Sequence, residues 1–186
     1  MHLPEWKNGM QRGQPKLAND CPGTDNQGTL TMQPQVVYGN IVEQDVDVII
    51  NPWNRNIIPW WLLLPQGVSK EIKRKGGYEP FKELAQFGPM ALGCARLTSA
   101  GRLPFKAIIH VAGINMFWMA SKYSIATSVI NAMRIVNEKK FSSVAFPLIG
   151  SGSGNRGKTF SLKTMMETFQ DMESTADVRI VRYQVR

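Results

Sequence analysis

Histidine and cysteine are scarce in this chain of 186 residues: His2, His110, Cys21 and Cys94 are the full complement. Two cysteines cannot build a disulfide framework. Two histidines with no cysteine pair at ligand spacing speak against a zinc centre, and neither a metal nor a cofactor is expected. Long apolar runs are missing as well. The longest stretch, Ile57-Ile58-Pro59-Trp60-Trp61-Leu62-Leu63-Leu64, falls far short of the roughly 20 residues that cross a bilayer. The chain does not open on a basic segment followed by an apolar core and a small-residue cleavage site, which argues against secretion. Hydrophobic residues make up 43% and charged residues 19%, a balance that supports a packed core and excludes wholesale disorder. The length suits one ordinary domain. A soluble, cytoplasmic domain with no membrane partner is expected.

Acidic residues are in deficit, with 14 Asp and Glu against 22 Lys and Arg, a net charge of +8. The first 35 residues do not supply the excess, because Lys7, Arg12 and Lys16 are balanced by Glu5, Asp20 and Asp25. The densest basic run is Lys70, Lys73, Arg74 and Lys75 against Glu71. Such a surface favours anionic partners and speeds their encounter. No aromatic interleaves the run, as a nucleic-acid surface would require, and a solvated face of a basic helix is the simpler reading. Nucleic acid stays open as a partner and is not favoured.

Residues 1–28 are polar, rich in Gly, Pro, Asn and Gln, and without sustained period; they read as an N-terminal extension to a domain over residues 29–186. From Thr29 a β/α alternation begins. Leu30 to Tyr38 reads as a strand ending at Gly39, and Val46, Val48, Ile49 and Ile50 as a strand buried on both faces. After a long apolar loop, Val68 to Lys75 reads as a helix stopped by Gly76-Gly77. Phe105 to Ala112 is a second buried strand. Ser121 to Lys140 is the clearest helix, with Ile125, Val129, Ala132, Met133 and Val136 on one face. Ser142 to Ile149 is a third strand interrupted by Pro147, followed by a helix through Leu162, Met165, Phe169 and Met172 and a closing strand from Val178 to Val185. The alternation predicts an α/β fold, a mostly parallel sheet with helices on both faces. In such sheets ligands bind beyond the carboxyl ends of the strands, so the informative residues are those just after each strand.

One of these segments is Gly150-Ser151-Gly152-Ser153-Gly154-Asn155-Arg156-Gly157-Lys158-Thr159. Glycines let successive backbone N–H groups converge on a phosphate, and the following helix N-terminus adds positive partial charge. Gly152 to Thr159 also matches the literal P-loop string G-x-x-x-x-G-K-T. A P-loop NTPase is disfavoured, because only 27 residues follow Thr159 and the closing strand carries no Asp at its end to hold magnesium.

Five segments recur in a known order: Gly39-Asn40-Ile41, Asp47 to Asn54, Gln66-Gly67-Val68, Gly93 to Gly113, and Val144 to Ile149 running into the glycine loop. With these segments the chain resembles the macro domain family, modules that bind ADP-ribose and in many members hydrolyse ADP-ribosyl linkages. The likeness covers about residues 36–185. It implies a three-layer α/β/α fold with a central mixed, mostly parallel sheet. It also implies that the diphosphate sits between Gln66-Gly67-Val68 and the segment Ile149, Gly150, Ser151, Gly152, Ser153, Gly154 and Asn155. Asn40 stands where the family carries an adenine-recognising Asp; its amide oxygen could accept from the adenine amino group, with Ile41 adding a backbone N–H and an apolar wall. Asn54 matches the second Asn of the family's N-A-A-N motif, which contacts the terminal ribose, and Asn51 is counted with it as ligand-binding.

The departures from the family pattern concern catalysis. Ser69 replaces the Asp that in many hydrolytic members activates or orients water, and a serine hydroxyl is a poor base at neutral pH. Gly154 replaces an aromatic that covers the terminal ribose. The segment from Asn54 to Gly67 is longer and more apolar than the common form, so Trp53, Trp60 and Trp61 either restore that wall or pack as core. Some macro domains are thought to work through a lysine that attacks the sugar, and Lys70 is the candidate for that route here. Such a lysine needs a lowered pKa, whereas a lysine at a helix N-terminus is usually solvated. His110, inside a buried strand, reads as a satisfied core histidine. The expectation is an ADP-ribose-binding macro domain acting on ADP-ribose or an ADP-ribosylated substrate, with hydrolysis of ADP-ribosyl esters or O-acetyl-ADP-ribose through Asn54, Ser69 and a substrate phosphate. A non-catalytic ADP-ribose reader and a basic nucleic-acid-binding module are the alternatives.

Overall fold

The computed structural model describes residues 32–59, 61–62, 66–115, 117–152 and 154–184. The expected extension over residues 1–28 lies outside them, as do Trp60 and Ser153. The strands are β1 (Gln35–Gly39), β2 (Val48–Trp53), β3 (Ala95–Thr98), β4 (Ala107–Ala112), β5 (Ser143–Pro147) and β6 (Asp177–Tyr183). The helices are α1 (Gly67–Gly76), α2 (Glu79–Gln86), α3 (Lys122–Glu138) and α4 (Lys158–Gln170), with a short 3-10 turn at Ile41–Glu43. The sheet order is β1-β6-β5-β2-β4-β3. All neighbours are parallel except β3 and β4.

The sheet is mixed, mostly parallel and covered on both faces. Val48 and Ile50 of β2 pack in one core with Val129 and Met133 of α3 and Phe169 of α4. Ile49, between them, packs in the other with Ile72 of α1 and with Phe81 and Leu84 of α2. Ile109 and Ile108 of β4 alternate in the same way, as do Phe146 and Ala145 of β5. Burial on both faces leaves no position for a solvated side chain, which is why these strands read as near-continuous apolar runs.

Several boundaries differ from the sequence reading. β1 starts at Gln35, directly after Pro34, not at Leu30; a proline has no N–H for the ladder. Pro147 ends β5 rather than interrupting it, paired in register with Val181. α2 and β3 have no signature in the sequence, because eight and four residues are too few to establish a period. β3 is also the antiparallel strand. α3 begins one residue after Ser121, whose side chain accepts from the Ser124 N–H while Ser124 Oγ accepts from the Ser121 N–H, a reciprocal capping box.

Asp47 ties together the segments that lead into three strands. Its Oδ2 accepts from the Ser142 N–H (2.8 Å) and hydroxyl (2.7 Å), and its Oδ1 pairs with Lys106 Nζ at 2.8 Å. The Lys106 ammonium, followed by Ser142, holds the Asp47 carboxyl down to about 2. No helix among the described residues is long and apolar enough to cross a membrane.

Candidate ligand-binding site

A cavity of about 520 Å³ opens at the carboxyl ends of the parallel strands. Its lining follows the strand order. Gly39, Asn40 and Ile41 come at and after the end of β1, Tyr183 ends β6, and Pro147, Leu148, Gly150, Ser151, Gly152 and Gly154 come at and after the end of β5. Trp53 ends β2 and Asn54 follows it, and Ile114 and Trp118 follow β4. Residues Gln66 to Glu71, at the start of α1, form the facing wall. With strands ~4.8 Å apart, the four spacings from β1 to β4 make a cleft about 19 Å long. An elongated ligand fits such a shape.

Of the residues singled out in the sequence, Asn40, Ile41, Asn54, Gln66, Gly67, Val68, Ser69, Gly150, Ser151, Gly152 and Gly154 line this cavity. Gly67 and Gly152, far apart in sequence, therefore face one space. Asn51, Ile149 and Asn155 are not in the lining. Asn51 and Ile149 are fully buried, and Asn155 turns its N–H to the Gly152 carbonyl at 3.0 Å. Ser153 lies outside the described residues.

The two loops present backbone donors. Gln66, the N-cap of α1, makes no side-chain capping bond, so the first-turn amides have no acceptor within the helix. α3, by contrast, is closed by its capping box. In the other loop the Gly152 N–H has no backbone acceptor among the described residues. Glycine is required here by crowding: a Cβ on Gly154 would fall 2.6 Å from the Gly150 Cα, and one on Gly150 would fall 2.6 Å from the Ala120 Cβ. Lys70 and Lys158 reach the cavity lining without an ion pair among the described residues. Backbone amides and ammonium groups are the chemistry that favours an anion.

A buried hydrogen-bond chain runs from the cavity wall into the core. The Thr98 hydroxyl donates to the Ser99 carbonyl (3.1 Å), so its oxygen accepts from His110 Nε2 at 2.9 Å. That puts the imidazole proton on Nε2 and leaves Nδ1 to accept from Asn51 Nδ2 at 3.0 Å. Asn51 Oδ1 then accepts the Ser69 hydroxyl at 2.9 Å. Every proton points away from the cavity, so Ser69 Oγ has only lone pairs left to offer a ligand. Complete burial pushes the His110 pKa down to about 3 and keeps the ring neutral.

Two asparagines are poised differently. Asn54 Oδ1 accepts the Asn56 N–H at 2.7 Å, while its Nδ2 is buried with no hydrogen-bond partner among the described residues. Asn40 Oδ1 is already engaged by the Val42 N–H (3.2 Å), and its Nδ2 donates to Glu71 Oε2 (3.3 Å). One lone pair of the acceptor anticipated at Asn40 is thus used in starting the 3-10 turn.

The aromatic wall has an unanticipated source. Trp53 is buried, lines the cavity and packs against Phe81, ring centroids 5.1 Å apart. Trp61 is 70% exposed and is not in the lining. Trp118, after β4, lines the cavity instead. Tyr183 at the end of β6 and Lys158 at the start of α4 also line it. The post-strand rule reaches Trp118 and Tyr183, and Lys158 is visible only as the lysine of the P-loop-like string. The desolvated lysine is Lys73, not Lys70: Lys73 Nζ sits 5.4 and 5.0 Å from the ring centroids of Trp53 and Phe81, and burial pushes its pKa down. Among the described residues, no three His, Cys, Asp or Glu side chains group closely enough to hold a metal ion.

Comparison with known proteins gives a consistent answer. The family model described as "Macro domain" matches residues 50–165. The chain is 34% identical over 143 residues to an "Uncharacterized protein" of Aquifex aeolicus, covering 76% of this chain and 84% of that one. It is 31% identical over 131 residues to an "O-acetyl-ADP-ribose deacetylase" of Klebsiella pneumoniae, covering 66% and 71% respectively. A mutant macrodomain of Oceanobacillus iheyensis solved with ADPR superposes with a TM-score of 0.69 at 25% identity, over 78% of this chain and 82% of that one.

Proposed function

The chain belongs to the macro domain family, and on that premise we propose that it binds ADP-ribose in the cleft at the carboxyl ends of its strands. The observation that carries this reading is that Gly67 and Gly152 line the same cavity. The diphosphate is assigned to the amides of the α1 N-terminus and the Gly150 to Gly154 loop, with Lys70 and Lys158 adding charge. The base is assigned to the β1/β6 end, against Ile41 and Tyr183. The terminal ribose is assigned to the β2/β4 end, where the unpartnered Nδ2 of Asn54 would donate to a hydroxyl, removing the cost of leaving that donor buried. Asn51 then acts behind the wall, orienting Ser69. The Oceanobacillus macrodomain with ADPR supports the choice of ligand.

A second reading, hydrolysis of O-acetyl-ADP-ribose, is favoured by the fixed Ser69 hydroxyl and by the 31% identity to deacetylases. Ser69 Oγ would accept a hydrogen bond from a water or ribose hydroxyl, and a substrate phosphate oxygen would take the proton as water adds to the ester carbonyl. The carbon–oxygen ester bond then breaks, the proton passes to the ribose oxygen, and acetate and ADP-ribose leave. With no carboxylate at position 69, the substrate supplies the base.

Calorimetry with ADP-ribose tests the binding reading: micromolar affinity is expected, and no heat up to millimolar ligand would remove it. Incubation with O-acetyl-ADP-ribose, followed by mass spectrometry, separates the two readings. Release of acetate is the outcome for an esterase, and unchanged substrate the outcome for a binding module.

A further inference from the structure

Glu71 supplies the one carboxylate that lines the cavity among the described residues. A carboxylate in an anion site has to lie away from the phosphates, because like charges at close range oppose binding. The Gly150 to Gly154 loop lies beyond β5, whereas Glu71 contacts Asn40, which follows β1, two strands away. The end of the ligand beside Glu71 must therefore be uncharged and must carry hydrogen-bond donors. Ile41 and Tyr183 flank the same end, since β1 and β6 are neighbours and Gly39 is in register with Tyr183. An apolar side chain and an aromatic ring suit a flat heterocycle.

We propose that Glu71 is the specificity-determining residue for the base, accepting a hydrogen bond from an exocyclic amino group and so selecting an aminopurine over an oxopurine nucleotide-sugar. This rests on the ADP-ribose reading above. Glu71 Oε2 takes Asn40 Nδ2 at 3.3 Å and Arg74 Nη2 at 2.6 Å. Oε1 has no hydrogen bond among the described residues and is the acceptor left for the ligand. Asn40 orients this carboxylate through its Nδ2, while its Oδ1 already accepts one hydrogen bond, from Val42. Arg74, the largest influence, holds the Glu71 carboxyl below its ordinary pKa, so it is ionised at neutral pH. An ionised acceptor repels the carbonyl oxygen that an oxopurine presents in place of the amino group.

The test is calorimetry of the full chain, Glu71→Gln and Glu71→Ala with ADP-ribose and with inosine diphosphate ribose, thermal melts confirming the fold of each. The unsubstituted chain should prefer ADP-ribose by about tenfold or more, the worth of a hydrogen bond to a charged group. Glu71→Ala should weaken ADP-ribose by a similar factor and strengthen the inosine analogue, whose carbonyl oxygen no longer faces a negative charge. Glu71→Gln carries an amide donor as well as an acceptor, so it should erase or reverse the preference, a change that loss of a merely structural residue would not produce. If both variants bind ADP-ribose with the original preference, the inference is overturned while the ADP-ribose reading stands. If the unsubstituted chain binds neither compound, that reading falls and Glu71's role falls with it.

Discussion

Ser69, in the first turn of α1, gives its hydroxyl proton to Oδ1 of Asn51, in the centre of the sheet on β2, across 2.9 Å. The direction of this bond is set from deep in the fold by the backbone carbonyl of Ser99, acting through Thr98 and His110. A side chain that the sequence offers only as a poor base is thus held as a pure acceptor on the wall of the cleft. If Ser69 positions water or a ribose hydroxyl, Ser69→Ala should lower O-acetyl-ADP-ribose turnover by about tenfold, the scale of one neutral hydrogen bond. ADP-ribose affinity should change by less than about threefold. Steady-state kinetics beside calorimetry reads both, and equal losses in the two would remove the assignment.

The neutral His110 makes stability depend on pH. Its folded pKa is depressed to about 3 from an ordinary 6.5, so the unfolded chain binds a proton that the folded chain refuses. The stabilisation is complete above pH 6.5 and is lost progressively as pH falls from 6.5 towards 3. Asp47, Glu71 and Glu167 have folded pKa values lowered from 3.8, 4.5 and 4.5, so they add their own losses at more acidic pH. Urea midpoints at pH 7.5, 6.5 and 5.5 should therefore fall chiefly through His110. In His110→Gln that part of the decline should disappear, and a midpoint in the parent chain that stays level over this range would contradict a buried neutral ring.

Asn54 offers a separation of binding from folding. Asn54→Asp keeps an acceptor for the Asn56 N–H and removes the buried donor. ADP-ribose affinity should fall by about tenfold or more, with the added negative charge working in the same direction. Far-UV circular dichroism should be unchanged. Retained affinity would place the terminal ribose elsewhere.

Gly154 has no room for the aromatic that other members of the family carry there. Gly154→Ala should destabilise the domain by about 1–3 kcal/mol, the usual cost of overpacking, because the new methyl meets Gly150 and Ala120 below 3.0 Å. Urea denaturation measures it, and a neutral effect would mean that the loop moves freely.

Asp47→Ala removes an ion pair and two hydrogen bonds that join the approaches to β2, β4 and β5. A loss of about 2 kcal/mol is expected from the two hydrogen bonds at ordinary net values, with ADP-ribose affinity unchanged because the residue sits at the amino ends of the strands and the cleft at their carboxyl ends. At about pH 2, where the carboxyl is half protonated in the folded chain, the gap between parent and variant should narrow.

Local rules settled much of this molecule. Val48 to Ile50, Ile108 to Val111 and Val144 to Phe146 announce strands buried on both faces, because a side chain in such a strand has no solvent side to face. Ser121 and Ser124 mark the start of α3 by a bond between neighbours three residues apart. The rule that ligands meet the ends of parallel strands brought the Gly150 to Gly154 loop to attention, and the family resemblance brought Asn40 and Asn54; Asn40, Asn54, Gly150, Ser151, Gly152 and Gly154 line the cleft.

Tertiary structure alone decided which of those residues have a free hand. Asn40 reads as a ligand acceptor, and the fold also gives its amide bonds to Val42 and Glu71. Asn51 reads as part of a ligand motif, yet it is buried between Ser69 and His110. The sequence left Trp53, Trp60 and Trp61 as either an aromatic wall or core; Trp53 lines the cleft, and so does Trp118, which the sequence reading did not single out. The physical reason is range. Burial pattern and capping depend on neighbours a few residues away and are written in order along the chain. Hydrogen-bond partners separated by 18, 31 or 59 positions exist only once the sheet has brought their strands and helices side by side.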